Sequence, residues 1–178
     1  RRVLFRSVLK KILGVTVLQR VVNQVKKSKK ISKIIIATSK HKTDKKIINF
    51  CQKNKIRFKS GPLNNVFKRF YSIIVQEHCK SFVRISADSP LIDPSLIDRA
   101  VTLFNKNRYD IVTNVFPRTF PKGFSVEVVN SKLILDFLSK IKKKRHQEHL
   151  TSFFYDNYKN FKIKNFYNKI NNSNINLS

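Results

Sequence analysis

The sequence predicts a single α/β domain in which short strands alternate with helices. Two observations support this prediction: β-branched apolar runs recur along the chain, and most are followed by a stretch with apolar residues at helical spacing. A chain of 178 residues is long enough to bury one substantial core. Alternation of this kind predicts βαβ units with right-handed crossovers.

The first half of the chain predicts three helices and two strands. Apolar residues at helical spacing begin after Thr16 and end in the lysine-rich run 26–30, where cations favour a helix C-terminus. The continuous apolar run 34–37 predicts a buried strand that ends at Thr38 and Ser39. Further along, the pattern predicts a helix over 44–54, a short strand over 56–58 and a helix over 65–79.

The most informative stretch is SFVRISADSPLIDPSLIDRA at 81–100. Its apolar run 82–85 predicts a strand, the turn that follows carries Asp88, and a helix begins near Ser95. Asp93 before Pro94 is typical of a helix start, because Asp accepts a hydrogen bond from a first-turn N–H and Pro has no N–H to satisfy. Ligands of open parallel sheets bind outside the carboxyl ends of strands. Asp88 is therefore well placed to hold a metal ion on a phosphate.

The remainder of the chain predicts two more strands and two more helical segments. The expected elements are a strand over 109–113, a proline-interrupted loop over 116–123, a strand over 125–129, a helix over 131–140, a solvated link over 142–145 and a helical face over 148–158. The segment after Asn165 is rich in asparagine and weakly patterned. No further element is predicted there.

The net charge of +28, from 38 basic and 10 acidic residues, raises nucleic acid as a partner. The lysines are scattered through helical segments, however, and no nucleic-acid-binding motif is recognisable. A solvated basic surface that meets anionic small ligands is the favoured interpretation. A basic nucleic-acid-binding module is the alternative, and steeply salt-dependent binding would identify it.

The cysteines and the hydropathy pattern bear on location. Cys51 and Cys79 lack metal-ligand spacing, which predicts buried thiols in a reducing cytosol. No apolar run approaches the roughly 20 residues of a membrane span. We therefore expect a cytoplasmic protein without a membrane partner.

Residues 1–7, RRVLFRS, fit none of the patterns that follow them. A common sequencing-adaptor DNA encodes this stretch when it is translated in frame, although an ordinary basic N-terminus is the alternative. We expect the native sequence to begin near Val8. This divides the chain into a non-native segment, 1–7, and a single domain over 8–178.

Five motifs in this order resemble the cytidylyltransferases that make CMP-activated sugars, and above all the spore coat polysaccharide biosynthesis protein F branch. The motifs are IIIATS at 34–39, NNVFKRFY at 64–71, VRISADSPLIDPSLID at 83–98, PRTFPKGFSVEVV at 117–129 and EHLTSFFY at 148–155. The resemblance extends over 8–178. It implies the Rossmann-like fold of nucleotide-diphospho-sugar transferases, a three-layer α/β/α sandwich.

The resemblance also implies a reaction and its participants. A sugar hydroxyl would attack the α-phosphate of CTP and pyrophosphate would leave, with Mg²⁺ neutralising the developing charge. The implied sugar is an acidic one, and the implied role is surface polysaccharide or glycan biosynthesis. Nucleic acid is not an expected partner, whereas a homodimer is one expectation because related enzymes are often dimers. A glycosyltransferase on the same fold is an alternative, but it would usually show paired Asp residues, which 88–90 does not provide.

Site residues follow from their positions in these motifs. Asp88 matches the catalytic carboxylate that holds the metal, and one carboxylate is chemically reasonable because Mg²⁺ also takes phosphate oxygens and water. The positions that match nucleotide contacts are Ala37, Thr38, Ser39, Arg69 and Ala87. The positions that match sugar contacts are Arg118, Lys122, Glu127 and His149.

Each of these roles has a structural alternative. Asp88 is also a suitable turn cap, and Arg69 is also a suitable exposed helix residue. Arg118 and Lys122 suit pairing with an anionic sugar group, since Arg binds carboxylates through two parallel hydrogen bonds, but they also suit a solvated loop. His149 suits a structural hydrogen bond.

The sequence departs from the family pattern at both ends. The family has a basic, glycine-containing loop that ends in a Gly-Lys pair, and Arg6 and Ser7 stand at those positions here. After the segment that matches Ser178, the family continues into a stretch with a second acidic group. The resemblance therefore predicts a chain that lacks the first strand and the C-terminal end of the fold, with little activity of its own.

Overall fold

A computed structural model describes residues 8–178, which fall into two compact units. The first unit comprises 8–33, 83–129 and 162–178, and the second comprises 34–82 and 130–161. The segment 1–7, for which a non-native origin is predicted, lies outside the described residues. The prediction of one domain over 8–178 stays a prediction.

The first unit begins with a β-hairpin that the sequence patterns did not predict. Strands β1 (Lys11–Ile12) and β2 (Val15–Thr16) pair antiparallel around Leu13 and Gly14. Both turn residues have positive φ, 48° and 78°, as a two-residue turn of type I′ requires. The unfavourable conformation of Leu13 is accepted because the turn closes the hairpin.

Two helices of the first unit begin with side-chain caps. Helix α1 (Val17–Val25) starts where the Thr16 hydroxyl accepts a hydrogen bond from the backbone N–H of Gln19 at 3.1 Å. Helix α4 (Pro94–Lys106) starts at Asp93, whose carboxylate accepts from the N–H of Ser95 at 2.8 Å, as predicted. The helices pack on each other and α4 packs on the sheet, which buries Leu18 and Val22 of α1 and Ile97 of α4.

The sheet of the first unit has four strands in the order β5-β7-β6-β8. These strands are β5 (Ser81–Arg84), β6 (Ile111–Thr113), β7 (Glu127–Asn130) and β8 (Ile163–Asn165). Strand β6 is antiparallel to β7 and parallel to β8, so the sheet is mixed. The register pairs Thr113 with Glu127, which brings the carboxyl end of β6 to the start of β7.

The second unit contains a βαβ arrangement. Strands β3 (Ile36–Ser39) and β4 (Phe58–Gly61) are parallel, and helix α2 (Lys45–Lys53) connects them. Helix α3 (Val66–Glu77) then packs on both strands. The parallel register pairs Ser39 with Gly61, so both strands end at the same edge.

Three short helices complete the second unit, and phenylalanine side chains form its core. The helices are α5 (Ser131–Phe137), α6 (Lys144–Glu148) and α7 (Ser152–Asp156), with single 3-10 turns at Lys42–Asp44, Leu138–Lys140 and Tyr158–Asn160. Phe154 is fully buried, and its ring contacts the rings of Phe67, Phe137 and Phe161. This cluster fixes α7 against α3.

Several predicted boundaries were wrong. Strand β3 ends at Ser39, as predicted, but begins at Ile36 and not at Ile34, and β4 begins at Phe58, about two residues further along than predicted. The expected helical face over 148–158 is the end of α6 and the separate helix α7, and α6 begins inside the predicted solvated link. Strand β8 was not predicted, because a three-residue strand with the pattern Ile-Lys-Asn carries almost no periodic signal.

Candidate functional site

The turn after β5 presents a half-buried carboxylate, Asp88. The Ser86 hydroxyl donates a hydrogen bond to its Oδ1 at 2.5 Å. Among residues 8–178 this is the one hydrogen bond that the Asp88 carboxylate receives, so its Oδ2 is available to a ligand. The position at the carboxyl end of β5 is the one that the sequence predicted.

Backbone hydrogen bonds and one apolar anchor hold this turn. The N–H of Ser89 donates to the carbonyl of Ser86, and the N–H of Ile92 donates to the carbonyl of Ser89. Ile92 is completely buried, and Asp93 is committed to the cap of α4. Asp88 is thus presented by a fixed turn. Ala87 precedes it and is half-buried.

Glu127 begins β7, the neighbour of β5 in the sheet, and the structure places its carboxylate inside the protein. Its exposure is only 1%, and it forms an ion pair with Arg84, which ends the neighbouring strand β5. A buried charge is tolerated when it is paired and hydrogen-bonded. The sugar-contacting role of Glu127 stays a prediction. In the pair, Arg84 is the partner that reaches solvent, with 31% of its side chain exposed.

Arg118 stiffens the loop that it was predicted to project from. Its Nη2 donates to the Ser125 hydroxyl at 2.9 Å and its Nη1 to the carbonyl of Pro121 at 3.4 Å. Lys122 in the same loop is exposed, whereas its backbone is engaged. The Lys122 N–H donates to the carbonyl of Ile175, and the Lys122 carbonyl accepts from the N–H of Leu177.

Gly123 allows the last residues of the chain to pass along this loop. Its φ is +101°, and a Cβ placed there would lie 2.9 Å from the carbonyl oxygen of Leu177. A side chain at this position would therefore be strained and would collide with backbone. The segment after Asn165, which seemed unpatterned, thus supports the loop that carries Arg118 and Lys122.

In the second unit, the predicted nucleotide segment ends at a buried carboxylate. Thr38 and Ser39 are buried at the end of β3, and Asp44 accepts hydrogen bonds from both of their hydroxyls. Ala37 precedes them and is half-buried. Both hydroxyls thus donate to Asp44, and the nucleotide contact of this segment stays a prediction.

Arg69 is buried in α3, so the exposed alternative for this residue was wrong. Its side chain crosses Gly61 at the end of β4, where an added Cβ would stand 2.6 Å from the Arg69 Cγ. The glycine is therefore required for the arginine to pass. This places a cation beside the carboxyl ends of the parallel strands β3 and β4, where a nucleotide role for Arg69 stays a prediction.

His149 lies at the surface, whereas His146, three residues earlier, is buried. His149 follows α6, and its carbonyl accepts a hydrogen bond from the Ser152 hydroxyl at 2.7 Å. His146 is buried, with Nε2 2.9 Å from the Asp156 carboxylate. The hydrogen bond from His146 and the nearby Arg145 lower the pKa of Asp156 below its usual 3.8.

The predicted residues divide between the two units. The first unit contains Ala87, Asp88, Arg118, Lys122 and Glu127, and the second contains Ala37, Thr38, Ser39, Arg69 and His149. The sequence patterns missed Arg84 and Asp44. A charged residue inside the apolar run of β5 was a signal for Arg84, because such a residue needs a buried partner. The helical pattern over 44–54 gave Asp44 no role beyond the start of a helix.

The donor set around Asp88 fits a magnesium ion that is held mainly by a substrate. In the part of the chain that the structure describes, no group of three or more His, Cys, Asp and Glu side chains could hold a metal ion. Mg²⁺ usually takes one or two carboxylates together with phosphate oxygens and water. One carboxylate with an available oxygen and an adjacent hydroxyl is consistent with that arrangement. Over residues 8–178, no helix is long and apolar enough to cross a bilayer.

The α/β fold is the one expected of a nucleotidyltransferase, and comparison with known families identifies the family of this chain. Residues 6–175 match the family described as Cytidylyltransferase, and the chain belongs to this family.

Two curated relatives share its sequence. The chain is 31% identical over 157 residues, 88% of its length, to an uncharacterised protein of Methanocaldococcus jannaschii, and covers 63% of that protein. It is 31% identical over 122 residues, 66% of its length, to the spore coat polysaccharide biosynthesis protein SpsF of Bacillus subtilis, and covers 48% of it. The chain therefore spans less than two thirds of the length of either relative.

A solved structure confirms the fold class. The structure of a cytidylyltransferase from Leptospira borgpetersenii superposes with a TM-score of 0.91 at 25% identity, over 96% of this chain and 73% of that chain. The predicted nucleotide-diphospho-sugar transferase fold is confirmed.

Proposed function

We propose that this protein transfers CMP from CTP to a sugar hydroxyl. The oxygen of the sugar forms a bond to the α-phosphorus, the bond from that phosphorus to the bridging oxygen of pyrophosphate breaks, and the hydroxyl proton passes to solvent. The observation that carries the proposal is Asp88, a half-buried carboxylate with an available oxygen at the carboxyl end of β5. Membership of the cytidylyltransferase family supports the choice of nucleotide.

Asp88 would hold Mg²⁺, with the Ser86 hydroxyl orienting its carboxylate. When bound, this ion would supply positive charge to the phosphate oxygens of CTP. Because the transfer of phosphoryl groups depends on positioning and electrostatics, the fixed turn around Asp88 matters as much as the charge. The buried Ile92 and the cap of α4 keep that turn in place.

The nucleotide would meet the strand ends of the second unit. The backbone of Ala37, Thr38 and Ser39 and the guanidinium of Arg69 are its proposed contacts there, and the family resemblance adds Ala87 to the proposed nucleotide-binding residues. Two observations support Arg69: its side chain is buried, and Gly61 has no Cβ where the side chain of Arg69 crosses it. A cation at this edge suits an anionic ligand.

The proposed second substrate is an acidic sugar, used in surface polysaccharide or glycan biosynthesis. The relative from Bacillus subtilis, whose name refers to spore coat polysaccharide biosynthesis, supports this role. Arg118 and Lys122 supply positive charge on a loop that is held by Ser125 and by the segment near Leu177. Glu127 and His149 complete the proposed sugar contacts.

The proposed assembly is a homodimer, and the proposed location is the cytoplasm. Cys51 and Cys79 are free thiols, which suits a reducing compartment.

The test is release of pyrophosphate in the presence of Mg²⁺. This chain and the product of its complete reading frame are incubated with CTP, ATP, GTP or UTP and with a panel of acidic, amino and neutral sugars. We expect release that requires CTP and is greatest with an acidic sugar. The cytidine assignment would be overturned if pyrophosphate were released with another nucleotide while CTP gave no release with any of the sugars.

A further inference from the structure

Asp44 is a fully buried carboxylate that the proposed reaction does not use. It ends the 3-10 turn Lys42–Asp44, between β3 and α2, and its exposure is 0%. Its Oδ2 accepts hydrogen bonds from the Ser39 hydroxyl at 2.6 Å, the Ser39 N–H at 3.1 Å and the Thr38 hydroxyl at 3.2 Å. Its Oδ1 accepts from the Thr43 hydroxyl at 3.3 Å.

These four hydrogen bonds offset the cost of burying the carboxylate, and their donors show which segment Asp44 holds in place. Three of the four come from Thr38 and Ser39, the last two residues of β3. These are the residues for which we propose backbone contact with the nucleotide. Asp44 therefore determines where that backbone lies.

The same network reaches the neighbouring strand. The Ser39 hydroxyl also accepts from the N–H of His41 at 3.1 Å, so the chain turns sharply as it leaves β3. The N–H of Lys40 donates to the carbonyl of Gly61 at 2.8 Å. Gly61 is the residue that Arg69 crosses. Asp44 is thus connected, through two strand ends, to the buried cation proposed for the nucleotide.

We propose that Asp44 is a positioning residue for CTP, which holds the end of β3 in the conformation that receives the nucleotide. This inference rests on the proposed function. A positioning role can be told apart from a purely structural one. Loss of Asp44 should weaken the binding of CTP more than a substitution elsewhere that lowers the stability of the protein by the same amount. Binding of the sugar should change little, because its proposed contacts Arg118, Lys122 and Glu127 lie in the first unit, and its fourth proposed contact, His149, forms no hydrogen bond with Asp44.

The chain offers a matched control in Asp98. Its carboxylate likewise accepts from a hydroxyl, Ser28 at 2.5 Å, and from backbone N–H groups, those of Lys29 and Lys30 at 3.1 Å. It lies in α4 of the first unit and has no proposed ligand. Asp98→Ala therefore removes a similar set of hydrogen bonds without touching β3.

The experiment measures the dissociation constant of CTP with Mg²⁺ by calorimetry for the wild-type chain, Asp44→Ala, Asp44→Asn, Ser39→Ala and Asp98→Ala. Thermal unfolding selects a temperature at which every variant is folded. Asp44→Ala should weaken CTP binding about tenfold or more, and Ser39→Ala about threefold, as expected for the loss of several or one hydrogen bonds. Asp44→Asn keeps an acceptor oxygen and should restore most of the affinity. Hydrogen exchange of the Ser39 amide should accelerate in Asp44→Ala.

The outcomes separate this inference from the function on which it rests. If the wild-type chain binds CTP and Asp44→Ala binds it with the same affinity, the positioning role is overturned and the proposed function is left intact. An equal loss in Asp98→Ala also overturns it, because general loosening would then explain the result. A wild-type chain that does not bind CTP contradicts the proposed function and the inference together.

Discussion

Two aspartates that follow strands, Asp44 after β3 and Asp88 after β5, have opposite surroundings. Asp44 has no exposure, and its oxygens accept four hydrogen bonds. Asp88 is half-buried, and in the described part of the chain it accepts one hydrogen bond, from Ser86. The same residue type in two βα connections is thus internally satisfied in one case and available in the other.

This difference indicates which carboxylate can bind a ligand. A carboxylate offers about four lone-pair directions, and Asp44 accepts four hydrogen bonds from its own chain, three at Oδ2 and one at Oδ1. A metal ion at Asp44 would have to displace those donors and leave them unsatisfied in the interior. Asp88 keeps an oxygen that a metal ion can approach without such a loss.

The largest expected effect follows from replacing Asp88. In the active protein, Asp88→Asn should lower kcat about a thousandfold, equivalent to about 4 kcal/mol of lost transition-state stabilisation, because a neutral amide is a poor ligand for Mg²⁺. The free energy of unfolding should change by less than about 0.5 kcal/mol, since the residue is half-exposed. Steady-state rates and urea unfolding measure the two quantities.

Asp136→Asn is the control for this substitution, because Asp136 is exposed and, within residues 8–178, its one ion pair is with Lys132 on the surface of α5. It should leave kcat unchanged. The comparison of Asp44 with Asp88 fails if Asp88→Asn retains activity or if it unfolds the protein.

An intermediate effect is expected at the strand ends of the second unit. Gly61→Ala places a Cβ 2.6 Å from the Arg69 Cγ, so the buried arginine must move. We expect a loss of about 1–3 kcal/mol in the free energy of unfolding, as for other overpacked interiors, together with weaker binding of CTP. Urea unfolding and calorimetry measure these effects.

A double-mutant cycle shows whether Arg69 is the cause. In the background of Arg69→Ala the new methyl group has room, so Gly61→Ala should cost much less there than in the wild type. An equal cost in both backgrounds would mean that the glycine is needed for another reason.

The smallest expected effect is the pH dependence of the stability that Asp98 and Asp156 contribute. Burial raises the pKa of Asp98, but hydrogen bonds from Ser28, Lys29 and Lys30 and the charge of Lys30 outweigh burial, so its pKa lies below 3.8. The pKa of Asp156 is also lowered, first by the hydrogen bond from His146 and then by Arg145. A carboxylate with a depressed pKa contributes stability above its unfolded pKa, and this contribution is lost as the pH falls through its folded value.

The destabilisation caused by Asp98→Asn, and separately by Asp156→Asn, should therefore be present at pH 7 and shrink below about pH 4. The two sites should differ in their response to salt. Asp156 is exposed and pairs with Arg145 at 2.7 Å, so added salt should weaken its contribution, whereas the hydrogen bonds of Asp98 to backbone should be less affected. Urea unfolding at two pH values and two salt concentrations tests this, and equal salt sensitivity would contradict it.

Much of the fold could be predicted because its signals are local. The cap at Asp93 and the helix after it were predicted correctly, since a cap depends on residues within one turn. The β1–β2 hairpin was missed because its two-residue strands are too short for a periodic pattern. Strand β8 was missed because its partner, β6, lies about fifty residues earlier in the chain.

The candidate site could be predicted only in part. The turn of Asp88 was identified because an acidic residue follows an apolar strand, and the structure places it there. The pair formed by Arg84 and Glu127 joins residues 43 positions apart, and no local pattern links them. Which charges neutralise each other therefore could not be seen in advance.

By itself, the sequence determined most of the order of strands and helices, the family and the position of Asp88, because short-range propensities and motifs encode these features. The tertiary structure decided which polar groups are occupied and which are available. Asp44 and Asp88 differ through the hydrogen bonds that reach them, and Arg69 depends on the absence of a side chain at Gly61. These properties arise from burial and close packing, where every polar group needs a partner and every methyl group needs space.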